Sequence, residues 1–294
     1  MSIEDKQSIE HSHERISPTA WGLAWRRTFT DIPYSAEIYE QLKLRHAIGE
    51  GDFAKVIVAP ELTPMFEARY KLCNKLLEQT GIKQVLEIAA GFAPRGLELT
   101  KDSTNTVVEL DLPNVIREKK EVIENILGKE SRSNLHLAEG NALSKNDFTK
   151  AVSLFQAGEI AVINEGLLRY LSHAEKTSVA RNILSILKER GGVWITPDIP
   201  LVGAFEKLYS RSKEANKLTA DVNKMTGLNE SNYFKDETEA VAFFEKLGFT
   251  IEKHSFTEVF DQLSSPGILS LPKDGIRGAI ECSEHAVVFV MRAK

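Results

Sequence analysis

From about residue 84 onward, short β-rich runs alternate with helical patterns, and that rhythm constrains the fold more than any single motif. The runs are QVLEIA, NTVVELDLP, NLHLAEG, EIAVINEGL, GGVWITPDIP, FTIEKHSF and HAVVFVMRA. Strands separated by helices return in the same direction, and a mostly parallel sheet must be covered on both faces. The spacing predicts helices over 115–127, started by Pro113-Asn114, and over 173–189, capped by Ser172 and ended at Gly191-Gly192. Between the last two runs lies LSSPGILSLPKDGIRG, a stretch of turn residues with no obvious crossover helix. These strands are therefore expected to meet as a long hairpin, one of them antiparallel to the rest. The expectation is an α/β fold with a seven-stranded, mostly parallel sheet.

Two stretches fall outside the rhythm. Residues 1–80 read as a helical N-terminal extension, and residues 201–230 as a helical insertion after the fifth strand; residues 81–294 otherwise form the sheet domain. Both stretches are candidates for a cap over the carboxyl ends of the strands, where open α/β sheets bind ligands. The tryptophans Trp21 and Trp25 stand at i and i+4 and read as a packing face.

The partner class follows from charge. Net charge is −5 and no Lys/Arg run is interleaved with aromatics, which argues against a nucleic-acid surface and for a small-molecule or peptide partner. No apolar run approaches the roughly 20 residues that span a bilayer, and the first residues are polar, so the expected location is the cytoplasm. Cys73 and Cys282 are far apart and lack metal-ligand spacing, so neither a disulfide framework nor a metal site is expected.

The loop after the first strand reads AAGFAPRG. Gly91 and Gly96 lack the G-x-G-x-x-G spacing, and Pro94 removes a backbone donor that a pyrophosphate uses. ATP, GTP and, less strongly, a dinucleotide are disfavoured. A phosphate-free cofactor asks only for one close approach, at Gly91. Farther on, Glu109 and Asp111 end the second strand, Asn141 follows the third and Glu165 the fourth. Acids at strand ends are commonly solvated or helix-capping, yet these converge on one edge. Arg69 on its helix has the plain alternative of an ion pair with Glu61 or Glu67, Tyr170 that of a core tyrosine, and His173 reads as a solvated helix start.

These residues resemble the class I S-adenosylmethionine-dependent methyltransferases, and within them the leucine carboxyl methyltransferase-like branch that includes polyketide-type O-methyltransferases. The resemblance rests on LEIAAGFAPRG, ELDLP, NEGLLRYL and LKERGGVWI, with SPTAWGLAWRR, FTDIPYSAEI and MFEARYKL upstream, and spans about residues 17–200. Ile32 interrupts an expected Asp-Pro pair, and Asn141 stands where an aspartate is usual. The resemblance implies a Rossmann-like fold and S-adenosylmethionine as cofactor. Arg69 would hold the methionyl carboxylate, Glu165 would face the amino group, Asp111 would hold the ribose hydroxyls, and Asn141 and Ala142 would lie beside the adenine. Gly91, with Glu87 and Ala89, would line the cofactor's approach, and Tyr170 and Arg95 are the substrate-side candidates.

The reaction expected is methylation of a carboxylate or hydroxyl on a small, polyketide-like metabolite by a monomer or homodimer. A protein carboxyl terminus is the lesser choice of acceptor. A carboxylate needs no general base, and no His–acid pair suited to deprotonating a hydroxyl stands out. The competing readings are an NAD(P) oxidoreductase and a non-catalytic binding protein on the same fold.

Overall fold

The computed structural model describes residues 17–46, 62–202, 230–274, 276–277 and 287–294. The 201–230 insertion and Cys282 lie almost wholly or wholly outside the described residues. Seven strands form one sheet: β1 (Gln84–Ile88), β2 (Thr106–Asp111), β3 (Leu135–Glu139), β4 (Ile160–Asn164), β5 (Gly192–Thr196), β6 (Phe249–Ser255) and β7 (Val287–Ala293). Their spatial order is β3-β2-β1-β4-β5-β7-β6. β1 to β5 pair in parallel, and β7 is antiparallel to both of its neighbours. The expected hairpin partners therefore do pair, with β7 wedged between β5 and β6.

Period-two alternation sends neighbouring strand residues to opposite faces. Leu86, Ile88, Val108, Leu110, Val162 and Trp194 pack on one side; Val85, Val107, Ala161, Ile163, Val193 and Ile195 pack on the other. The first face is covered by α6 (Lys145–Val152), α7 (His173–Arg190) and α8 (Glu237–Leu247). The second is covered by α3 (Thr63–Thr80) and the 3₁₀ turn Phe256–Gln262. α1 (Ser17–Arg27) and α2 (Ser35–His46) join α5 (Pro113–Leu127) in a third cluster through Ala24, Ile38, Leu42, Val122 and Ile123. The short α4 (Arg95–Leu99) follows the glycine loop, and α9 (Ser265–Ile268) follows the 3₁₀ turn.

Local chemistry fixes the element ends. α5 begins with Pro113 at a first-turn position, where the missing N–H costs nothing. Ser172 caps α7 in a reciprocal box with Glu175, which satisfies two orphan donors. At the entry to β5, Gly192 has φ +103°, and a Cβ there would sit 2.1 Å from the Ile160 carbonyl oxygen; only glycine fits. His173 starts α7 as expected and is half-buried, its ring edge-on against Phe234 at 5.2 Å.

Candidate functional site

The site is built by strand order. Because β3, β2, β1 and β4 are neighbours, the residues that leave their carboxyl ends fall into one row, roughly 4.8 Å per strand. Asn141 follows β3, Asp111 ends β2, Glu87 and the Ala89–Gly91 turn belong to β1, and Glu165 follows β4. One cavity is lined by all of them, together with Ala142, Leu143, Leu167, Tyr170 and Leu171. From the opposite side α1 contributes Ala20, Leu23 and Arg27.

The turn after β1 is tight enough to leave normal backbone space. Ala89 has φ +53° and Gly91 φ +46°, and the non-glycine residue there costs about 1 kcal/mol or more. The Ala89 N–H donates to Leu110 O at 2.8 Å, tying the turn to β2. Asp111 holds the same turn: its carboxylate accepts from Gly91 N–H at 2.6 Å and from Leu112 N–H at 2.7 Å. Burial pushes its carboxyl above the usual aspartate range, opposed by those two N–H groups.

Beneath the row lies a buried charge network. Arg95, predicted from sequence to face the substrate, is fully buried and turns inward. Its guanidinium donates to Glu87, to Glu165, and to Asn74 Oδ1 at 2.7 Å, and stacks over the Tyr70 ring at 4.5 Å. Arg95 is thus a structural cation, because two buried acids flank it and their attraction outweighs the desolvation of its charge. Arg69 pairs through Nε with Glu165 Oε2 at 3.1 Å. Glu67 is not its partner; Glu67 accepts instead from the backbone of Ser264 and Ser265 at 2.8 and 2.9 Å and pairs with Lys71 at 2.7 Å. Burial acts to raise the Glu165 carboxyl, but Arg95, Arg69 and Arg27 overcome it and hold the group at about 2.

That depressed value has a pH consequence. A carboxyl whose folded value is about 2 and whose unfolded value is about 4.3 stabilises the fold above about pH 4.3, and this contribution is lost as pH falls toward 2. Urea unfolding of wild type and Glu165→Gln should therefore differ most near neutrality and converge only as pH falls from about 4 toward 2. A gap independent of pH would show that Glu165 carries no such charge.

Other acids sort differently. Glu109 on β2 is buried outside the cavity, paired with Lys119 at 2.7 Å and accepting from Gly96 N–H at 3.2 Å. Burial pushes it up to about 7. Glu87 is almost fully buried, and its Oε2 has no hydrogen-bond partner among the described residues. Arg27 was missed in the sequence reading. The available signal was periodicity, since Ala20, Leu23 and Arg27 lie at i, i+3 and i+7 on one helical face. Burial lowers the pKa of Arg27, and the Glu165 carboxylate works against that shift.

The family model for leucine carboxyl methyltransferase matches residues 33–184, just over half of the chain. The chain belongs to the leucine carboxyl methyltransferase family. It is accordingly an S-adenosylmethionine-dependent methyltransferase. No curated protein sequence matches this methyltransferase. Among solved structures, the methyltransferase domain of bacterial CtHen1-C is similar in fold, with 14% identity, 78% of this chain and 98% of that chain covered, and a TM-score of 0.51. An O-methyltransferase family protein from Burkholderia thailandensis matches at 12% identity over 88% of this chain and 71% of that one, with a TM-score of 0.44. The seven-stranded sheet of this family member is thus the Rossmann-like sheet of methyltransferases. Among the described residues no helix is long and apolar enough to cross a membrane, and no group of three or more His, Cys, Asp or Glu residues is placed to hold a metal ion.

Proposed function

We propose that the cavity at the ends of β3, β2, β1 and β4 binds S-adenosylmethionine and that the protein methylates a carboxylate of a small metabolite. The observation that carries this reading is the unpartnered Oε2 of buried Glu87, which lines the same cavity as Arg27. A buried carboxylate oxygen without a partner is costly unless a ligand donates to it. The methionyl ammonium supplies such donors, and its carboxylate matches a guanidinium one side chain away.

The remaining fit follows the row. Both oxygens of Glu165 are already engaged by Arg69 and Arg95, so Glu87 is the better acceptor for the ammonium, with Glu165 as its neighbour. Arg27 reaches the carboxylate, and Arg69 adds positive charge behind it. Asp111 keeps lone pairs beyond its two backbone contacts and suits a vicinal diol. Asn141 and Ala142 are left for the base. The residues thus fit the cofactor.

When bound, S-adenosylmethionine supplies an electrophilic methyl group on a sulfonium. The protein's task is to hold an acceptor oxygen in line with it, near 3–3.5 Å, and to exclude water. Leu167, Leu171 and Tyr170 furnish an apolar wall with one hydroxyl near the β4 end of the cavity. Among the described residues, the ionisable ones lining the cavity are Arg27, Glu87, Asp111, Glu165 and Tyr170, without a histidine. An acceptor that arrives already ionised suits such a wall, which favours a carboxylate over a hydroxyl and a polyketide-like acid over a polar peptide terminus. The working unit is a monomer or homodimer, with residues 17–46 acting as the cap.

Isothermal titration tests the cofactor half. Micromolar binding of S-adenosylhomocysteine is expected, and its loss is expected in Glu87→Gln combined with Arg27→Ala. Binding of NADH with none of S-adenosylhomocysteine would sink the reading. Transfer of labelled methyl to a panel of aromatic carboxylic acids and phenols tests the acceptor half, with turnover confined to phenols as the contrary result.

A further inference from the structure

Arg27 is held in the cavity wall by something other than an acid. Among the described residues it is the one basic side chain that lines the cavity, and it forms no ion pair with any of them. Glu165, whose charge reaches it, already gives its two oxygens to Arg69 and Arg95. A long side chain without a partner samples several rotamers, and ordering it on binding costs affinity. The group that faces Arg27 is the ring of Tyr70, whose centre lies 5.6 Å from the guanidinium carbon. That distance is within reach of a cation–π attraction.

The ring is itself fixed from behind the cavity. Tyr70 is almost fully buried on α3, and Asn74 stands four residues on, so the two share a face of that helix. The Tyr70 hydroxyl donates to Glu98 Oε2 at 2.9 Å, and Asn74 Nδ2 reaches the same oxygen at 3.5 Å. Asn74 Oδ1 in turn accepts from Arg95 Nε at 2.7 Å, and the Arg95 guanidinium lies over the Tyr70 ring at 4.5 Å. Burial pushes the phenol well above its ordinary range, so the hydroxyl keeps its proton and remains a donor. Tyr70, Glu98, Asn74 and Arg95 thus close a loop of contacts that leaves the ring little freedom. We propose that Tyr70 is a positioning residue: its ring, anchored through Glu98, holds the Arg27 guanidinium where the carboxylate of the ligand meets it. This inference rests on the cofactor reading above.

Isothermal titration with S-adenosylhomocysteine and its decarboxylated analogue tests this, because only the first carries the carboxylate. Tyr70→Leu is expected to weaken S-adenosylhomocysteine about tenfold, the scale of a partly desolvated cation–π contact, and to change the analogue by less than about threefold. In an Arg27→Ala background the same substitution is expected to add no further loss. Tyr70→Phe keeps the ring face and is expected to bind S-adenosylhomocysteine within about threefold of wild type. Equal weakening of both ligands by Tyr70→Leu marks a purely structural role and overturns the inference. Unchanged binding of S-adenosylhomocysteine overturns it too, as does a selective loss that persists without Arg27. Should Tyr70→Leu fail to fold, Tyr70→Met is read in its place, and a tenfold selective loss in Tyr70→Phe, about one hydrogen bond, overturns the inference by assigning the effect to the hydroxyl. Failure of wild type to bind either ligand overturns the cofactor reading instead, an outcome distinct from tight binding that ignores the ring.

Discussion

Replacing Arg95 by methionine lowers the stability of the fold by about 3–5 kcal/mol, the usual cost of removing one partner from a buried charge network. The side chain is fully buried and answers two acids, Glu87 and Glu165, as well as Asn74. Methionine fills much of the volume but leaves two carboxylates short of a counter-charge in low dielectric. Lysine keeps the charge without the planar fork that reaches three acceptors, so Arg95→Lys falls between the two. Urea midpoints of the three proteins check this, with Lys120→Met as control, since Lys120 and Glu124 are exposed and 4.0 Å apart. Equal midpoints for wild type and Arg95→Met would mean that the network carries no net charge to balance.

Asp111→Ala gives the second large effect, and it is seen only with ligand present. A ligand at a hundred times its Kd raises stability by about 2.7 kcal/mol, and this increment is expected to vanish in the variant. Without ligand the loss is smaller, about 1–2 kcal/mol for two backbone donors losing their acceptor, partly offset because the buried carboxyl is itself strained toward protonation. Thermal unfolding of both proteins with and without S-adenosylhomocysteine separates the two contributions. A full ligand-induced shift in the variant would remove Asp111 from the site.

The sheet was largely legible because its central parallel strands, β1, β2, β4 and β5, are buried on both faces and announce themselves as apolar runs bounded by turns. The row of residues that line the cavity was legible as well, since a strand's end and the residue after it are fixed once the strand is. The position of β7 between β5 and β6 was less so, because turn residues show that a return occurs but not where the strand inserts. Arg95 was placed wrongly for a similar reason. A cation one turn beyond a strand can face in or out, and the acids that draw it inward stand 8 residues before it and 70 after it. Sequence proximity carries no trace of that pairing. Arg27 went unassigned because its place in the cavity wall depends on how α1 packs in the fold, which no local pattern states. The turn that Asn141 makes by accepting from Leu143 N–H, and the contact of Asn182 with the Ala142 carbonyl, are likewise visible only after folding.

The wedged strand also sets an order of events. β6 touches the sheet only through β7, and β7 reaches β5 by pairing Thr196 with Phe289. During synthesis the four strands that line the cavity emerge before β6, whereas β6 emerges while its one partner, β7, is still to come. It must wait for β7, and the two then seal the far edge together. The strands that line the cavity thus all precede β6 in the chain, and β6 is an edge strand whose single neighbour is the last strand of all.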